Sequence, residues 1–251
     1  MRIAYVSPSD LAYLSDVCGR CWWRKINKIQ SPKQAYPKIF GEIDRAMKRT
    51  VNVDVLRSFD LPVSRVVRPD MQTITFIDEV KDDIWQELRI MSAPIVYDDL
   101  GATLIISGYL DQMAVLEDDT ILVTDFKASE QNEDKMRKFE RQVHGYQYCL
   151  ENPAKGEPKE VTMLGICWYT PKKFDIQGHQ ASLTGQLTYT PIEVDRVKFQ
   201  GYLRKLAAMV GMTEAPPAGT TCEYCECVRH AASFDRSRQA LADKQRENVP
   251  A

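Results

Sequence analysis

The stretch Gly108 to Ser129, GYLDQMAVLEDDTILVTDFKAS, admits few conformations. Two β-like runs flank the acidic turn Glu117, Asp118, Asp119, the pattern of a hairpin. In the second run, alternation with a period of two puts Ile121, Val123, Asp125 and Lys127 on one face and Leu122, Thr124 and Phe126 on the other. The length of the loop decides what joins Asp125 and Lys127. A three-residue loop pairs position 111 with position 125 and adds Asp111 to their face, whereas a two-residue loop pairs Asp111 with Phe126 and breaks the cluster. The three-residue register is the one expected.

Two carboxylates and an ammonium on one pleat are poor core material but suit a hydrolytic site. The carboxylates offer oxygen ligands to Mg²⁺ or Mn²⁺, and the main-chain carbonyl of Phe126 could add another. Lys127 is placed to orient an attacking water, ease its deprotonation, or balance charge on a phosphorane-like transition state. Asp125-x-Lys127 alone does not separate this chemistry from a salt-bridged pair on a surface hairpin. Its company does: Gly108-x2-Asp111 lies upstream and Gln142-x3-Tyr146 downstream.

That order resembles the PD-(D/E)XK nuclease superfamily, and is closest to its RecB-type branch, which includes the CRISPR-associated iron-sulfur exonucleases and the nuclease domains of bacterial recombination helicases. The resemblance runs from end to end. SPSDLAYLSDVCGRCWWRK (Ser7 to Lys25) is similar to the family's opening helix and cysteine, FGEIDRAMK (Phe40 to Lys48) to its Gly-x2-His helix, and TCEYCEC (Thr221 to Cys227) to its terminal cysteine loop. It implies an α/β fold with a mixed central sheet flanked by helices. That fold would form one domain over residues 1–235, followed by a polar tail at 236–251. It also implies a metal-dependent deoxyribonuclease, an exonuclease in recombination, repair, or phage- or CRISPR-related processing, whose partner is DNA of single-stranded character. Gln142 and Tyr146 would arrange the active site and the substrate strand, Asp111 and Asp125 would bind metal, and a 4Fe-4S cluster would sit on the cysteines.

The chain departs from the family in two places. Asp44 stands where the family has a metal-binding histidine; it is still an oxygen ligand, and equally it is spaced for an i, i+4 pair with Lys48. The family has one early cysteine and three late ones, whereas this chain has Cys18-x2-Cys21 facing Cys222-x2-Cys225, with Cys227 close behind. Four thiolates in two paired spacings fit tetrahedral Zn²⁺ or a 4Fe-4S cluster alike, and Cys18 with Cys222, Cys225 and Cys227 is the competing ligand set. Either centre would join the first helix to the last segment. Met1 to Ser9 lacks a signal-peptide pattern and no run has the apolar length of a membrane span, so a cytoplasmic location is expected. There, seven cysteines grouped as Cys-x2-Cys favour metal ligation over disulfides.

The net charge of −2 argues against indiscriminate nucleic-acid affinity, yet Arg20 to Thr50 carries nine basic residues against two acidic ones, a candidate phosphate-facing patch. Ser7-Pro8-Ser9 begins a helix that delivers Cys18 and Cys21 to its end, after which Trp22 and Trp23 are expected to anchor it to the core. Helices are predicted over Lys38 to Arg49, which carries Asp44, over Asp78 to Met91, from Asp134 onward, and through Phe199, Leu203, Leu206 and Val210. Gln142 and Tyr146 lie one turn apart on the third of these, beside Lys135, Arg137, Lys138 and Arg141, with His144 expected to be a satisfied or surface histidine. Glu87 could approach the metals, but a solvent-facing glutamate is commoner. Strands are expected at Thr73 to Ile77, Ile95 to Tyr97, Thr103 to Ser107, Val161 to Tyr169 and Leu183 to Tyr189. No phosphate-binding loop of the Gly-x4-Gly-Lys-Ser/Thr type occurs, so any helicase would be a separate partner. Two rival readings stay open: a catalytically silent nuclease-like module that binds DNA or assembles a complex, and a structural zinc protein with an incidental acidic hairpin.

Overall fold

The computed structural model describes residues 1–13, 18–29, 37–67, 88–220, 222 and 224–229. In chain order the elements are β1 (Arg2–Val6), α1 (Pro8–Tyr13), α2 (Gly19–Ile26), α3 (Lys38–Thr50), α4 (Val53–Arg57), β2 (Val63–Val67), β3 (Leu88–Met91), β4 (Ile95–Tyr97), β5 (Ala102–Leu110), β6 (Gln112–Leu116), β7 (Ile121–Lys127), α5 (Glu133–Glu151), β8 (Val161–Gln177), β9 (Gln180–Ile192) and α6 (Arg196–Gly211). The molecule is mixed α/β, with two mixed sheets where one central sheet was expected. In the first, β1 runs parallel to β5 while β3 and β4 pair antiparallel with it. The second has the order β2-β6-β7-β8-β9, parallel only between β7 and β8. Asp111 is the single residue between β5 and β6, so the chain changes sheets at a carboxylate.

The hairpin has the three-residue loop. Gln112 pairs with Thr124 and Val115 with Ile121. The Leu116 N–H donates to the Thr120 carbonyl at 2.8 Å, and Asp119 takes a left-handed φ of 64°, the geometry of a loop that closes with one αL residue. Alternation along β7 then feeds two cores. Ile121 and Val123 pack with Phe139, Val143 and Tyr146 of α5, whereas Leu122 and Phe126 pack with Met47 and Leu56 from α3 and α4. Asn132 and Asp195 cap α5 and α6, accepting from the N–H groups of Lys135 and Lys198 at 2.8 Å each, which fixes where α5 begins and hence which of its residues face β7.

Beyond the sheet, β8 and β9 continue as a two-stranded ribbon closed by a turn at Gly178, φ 61°. Pro171 pairs with Gly185 and Lys173 with Thr184, so Lys172 is an extra residue, a bulge. The insertion brings Phe174 opposite Leu183 and Ile176 opposite Ala181, on the face of β9 that carries Leu187 and Tyr189 nearer the core. Without it, Lys173 would interrupt that apolar face.

Several elements differ from their sequence reading. β1 was not foreseen. Leu88–Met91 was expected to end a helix but forms β3, paired with Leu110 to Ser107 of β5. The opening helix is two: Cys18 is the N-cap of α2, and Cys21 lies in its first turn, so the pair starts a helix instead of ending one. Trp22 is buried as expected, and Trp23 is partly so. The predicted strand at Thr73 to Ile77, most of the helix from Asp78, Glu87 and the tail at 236–251 lie outside the described residues.

Candidate active site and cysteine cluster

A cleft of about 510 Å³ opens where α1, α3, the β5–β6 bend, the end of β7 and α5 meet. Asp44, Asp111, Phe126, Lys127, Gln142 and Tyr146 all line it. Asp125 lies directly behind them, fully buried. Gly108 serves this architecture by its lack of a side chain: a Cβ there would fall 2.5 Å from Pro8 Cδ, so only glycine lets the start of α1 close against β5 and form one wall.

The acids are tied into one network. Asp111 Oδ2 accepts the Phe126 N–H at 3.0 Å, which locks the bend to the end of β7. Asp125 Oδ1 accepts from Gln142 Nε2 at 2.9 Å, and Gln142 Nε2 also reaches the Tyr146 hydroxyl at 3.0 Å. Lys127 Nζ forms an ion pair with Asp125 Oδ2 and sits 4.4 Å above the Phe139 ring, held by a carboxylate and an aromatic face together. Lys48 Nζ lies 2.9 Å from Asp44 Oδ2 and 2.9 Å from Asp111 Oδ1. The i, i+4 pair on α3 is therefore real, and it is one arm of a bridge to a third carboxylate.

Burial and repulsion set the acidities. Burial, opposed by Lys127 and reinforced by the charge of Asp111, pushes Asp125 up to about 8. Burial also presses Asp111 upward, but Lys48 and Lys127 prevail and hold it below the ordinary carboxylate range. Asp44 is raised by burial and by the neighbouring Asp111 charge, which Lys48 offsets only in part. Tyr146 is raised well above the usual phenol range by burial and by Asp125 and Asp111, so its hydroxyl keeps its proton. The buried Gln142 Oε1 has no hydrogen-bond partner and lies in a residue that lines the cleft, leaving one unsatisfied acceptor beside the acids.

Sequence reasoning brought Asp44, Asp111, Asp125, Lys127, Gln142 and Tyr146 to one place, and the structure holds them there. It missed what Lys48 and Phe139 do. The basic patch is less free than its charge suggested: Lys25 pairs with Asp10, Arg45 with Glu42, Lys48 with the acids, and Arg20 Nε donates to the Pro216 carbonyl at 2.9 Å. His144 is the satisfied histidine expected, bonded to the Glu140 carbonyl and to the Asp195 N–H and stacked on Phe199, with burial holding its pKa down.

Away from the cleft, Cys18, Cys21, Cys222 and Cys225 converge, all buried, their sulfurs within 4.8 Å of one another. Cys18 Sγ lies 3.6 Å from Cys225 Sγ, and Cys21 Sγ lies 3.6 Å from those of both Cys222 and Cys225. This group can hold a metal ion. Cys227 is exposed and outside it, so the structure assembles the two Cys-x2-Cys pairs and leaves the competing set apart. Burial resists ionisation at Cys18, yet the N–H groups of Gly219, Cys21 and Arg20 hold its thiol at about 7, while burial and the neighbouring thiols raise Cys21.

No family model matches the chain, and no curated protein matches it. Among solved structures, one titled "Crystal structure of SSO0001" aligns over 81% of this chain and 75% of that chain, at 12% identity and a TM-score of 0.42. No helix among the described residues is long and apolar enough to cross a membrane.

Proposed function

We propose that this protein is a metal-dependent deoxyribonuclease that hydrolyses phosphodiester bonds in its Asp111/Asp125/Lys127 cleft. The observation that carries the reading is the convergence on one cleft of about 510 Å³ of two carboxylates, a lysine, an amide and a phenol from four separate elements, with a third carboxylate, Asp125, buried directly behind them. Hard cations take oxygen donors, and Asp44, Asp111, Asp125 and the Phe126 carbonyl would hold Mg²⁺ or Mn²⁺. The unsatisfied Gln142 Oε1 and the raised acidities of Asp44 and Asp125 fit such a group, because a pocket of crowded acids has most to gain from a dication. When bound, the ion supplies Lewis acidity and lowers the pKa of a coordinated water.

The chain's own residues do the rest. Lys127, steadied by Phe139 and Asp125, presents an ammonium to the attacking water and to charge that builds on the phosphoryl oxygens. Gln142 holds Asp125 through its amide N–H and keeps a buried amide oxygen without a partner. Tyr146 stays protonated and donates a hydroxyl. Phe40 and Tyr109, which also line the cleft, offer ring faces for stacking unpaired bases. An exonuclease of DNA processing, cooperating with a separate helicase or recombination partner in the cytoplasm, fits these features.

The cysteine centre is best read as zinc. Tetrahedral Zn²⁺ with Zn–S bonds of about 2.3 Å sets its sulfurs roughly 3.8 Å apart, close to the separations seen. A 4Fe-4S cubane inserts its own irons and sulfides between the thiolates and spreads them further. Aerobic and anaerobic purification, each followed by elemental analysis and by cleavage of labelled single-stranded and duplex DNA with Mg²⁺ or Mn²⁺, tests both halves. Expected are one zinc per chain and metal-dependent degradation. DNA retention without cleavage would replace the enzyme by the silent binding module, and iron with sulfide would replace zinc by the cluster.

A further inference from the structure

We infer that Lys48 is a tethered cation occupying the place between Asp44 and Asp111 that a divalent ion must take, so that metal enters only as the Lys48 ammonium swings out. This rests on reading the cleft as a Mg²⁺ or Mn²⁺ site.

The carboxylate oxygens that face one another across the site are engaged by the protein's own donors. Asp111 presents Oδ1 to Lys48 and Oδ2 to the Phe126 N–H; Asp125 presents Oδ1 to Gln142 and Oδ2 to Lys127; Asp44 presents Oδ2 to Lys48. A carboxylate oxygen can keep a hydrogen bond and still bind a cation, but a cation shared by Asp44 and Asp111 would need the position that a lysine ammonium holds, so that ammonium has to leave. The amide N–H belongs to the backbone beside β8 and cannot. The two lysines are about equally exposed, 17% for Lys48 and 15% for Lys127, but differ in what surrounds them. Lys127 rises from a buried strand and is pinned between Asp125 and the Phe139 ring. Lys48 stands on α3 between the exposed Arg45 and Arg49 and reaches the acids from the helix surface, and a four-carbon stem of this kind can turn its ammonium toward water by changing rotamer. An ammonium and a dication sharing two carboxylates at contact distance would repel each other strongly, so occupancy is one or the other. The device keeps Asp44 and Asp111 compatible with each other while the site awaits its ion, and it makes metal affinity a competition inside the protein.

The test is Mn²⁺ binding to the wild-type chain, Lys48→Met and Lys48→Arg, followed by calorimetry and by the electron paramagnetic resonance of free Mn²⁺. Lys48→Met should bind about tenfold more tightly, whereas Lys48→Arg, which keeps a cation, should stay within about twofold of wild type. Unchanged or weaker binding by Lys48→Met, with the wild type still binding through Asp111 and Asp125, overturns this inference alone. If no protein binds Mn²⁺, or if Asp111→Asn and Asp125→Asn leave binding unaltered, the metal reading of the cleft falls and the inference with it. Should Lys48→Met fold poorly without metal, its melting temperature should rise more on adding Mn²⁺ than that of the wild type; an equal or smaller rise overturns the proposal.

Discussion

The acidic cleft and the cysteine cluster are both knots of ionisable side chains, yet they stand in opposite relations to stability. In the cleft, three carboxylates and two lysines crowd into a site where burial and repulsion raise two of the acids, a configuration that burdens the fold. In the cluster, four small buried thiols from segments about 200 residues apart can hold one metal ion, and the binding energy of such an ion would add to folding. The difference teaches where function lies. On the proposed function, groups kept despite their cost serve reaction, and groups that repay their burial serve architecture.

The sharpest way to break that contrast is to remove single charges from the cleft. Asp125→Asn and Lys127→Ala should each lower DNA cleavage by about a hundredfold or more, with melting temperatures within a few degrees of wild type. Near-wild-type turnover would cancel the functional half of the comparison. On the other side, Cys222→Ser should lower the melting temperature by roughly 10 °C and cut soluble yield, while the fraction that folds keeps its specific activity. A mutant equally stable but inactive would show that the cluster belongs to the reaction.

A smaller effect should appear with pH. Asp125 has a folded pKa of about 8, far above that of an unfolded aspartate, so between roughly pH 4 and 8 the folded chain binds the extra proton. Stability of the metal-free protein should therefore decline as pH rises through that window and level off above it. His144, depressed in the fold, works the other way around its ordinary range. The comparison to make is thus between the chelator-treated wild type and Asp125→Asn, in which the declining component should vanish. Least of all, Cys227→Ser should change neither melting nor metal content, and metal loss on that substitution would redraw the ligand set.

The register of the central hairpin was legible because period-two alternation and an acidic three-residue turn are local signals, and Asp111, Asp125 and Lys127 followed from it. Gln142 and Tyr146 were legible through the motif order that resembles the nuclease superfamily, and their spacing of one helical turn put them on one face. Lys48 was read only as a partner of Asp44, since its second acid lies 63 positions further on and reaches it only through the fold. Phe139 looked like ordinary core and supports Lys127 only because α5 lies across β7. β1 is short and owes its existence to a parallel partner, β5, about 100 residues away. Leu88–Met91 has helical spacing, but pairing with β5 overrode it. The outer ribbon was underestimated because its polar face hides the alternation and the Lys172 bulge shifts its phase.

The span between the two cysteine pairs also fixes an order of events during synthesis. Cys18 and Cys225 are separated by 207 positions, and at roughly 5–20 residues per second a ribosome needs about 10–40 s to travel between them. During that interval β1, β5 and the hairpin can assemble and α6 follows, while α2 waits for the second pair of cysteines. The last thirtieth of the described chain therefore acts as a latch on the first tenth. Emergence of the second cysteine pair, with metal at hand on the reading proposed above, would then close the two segments on each other.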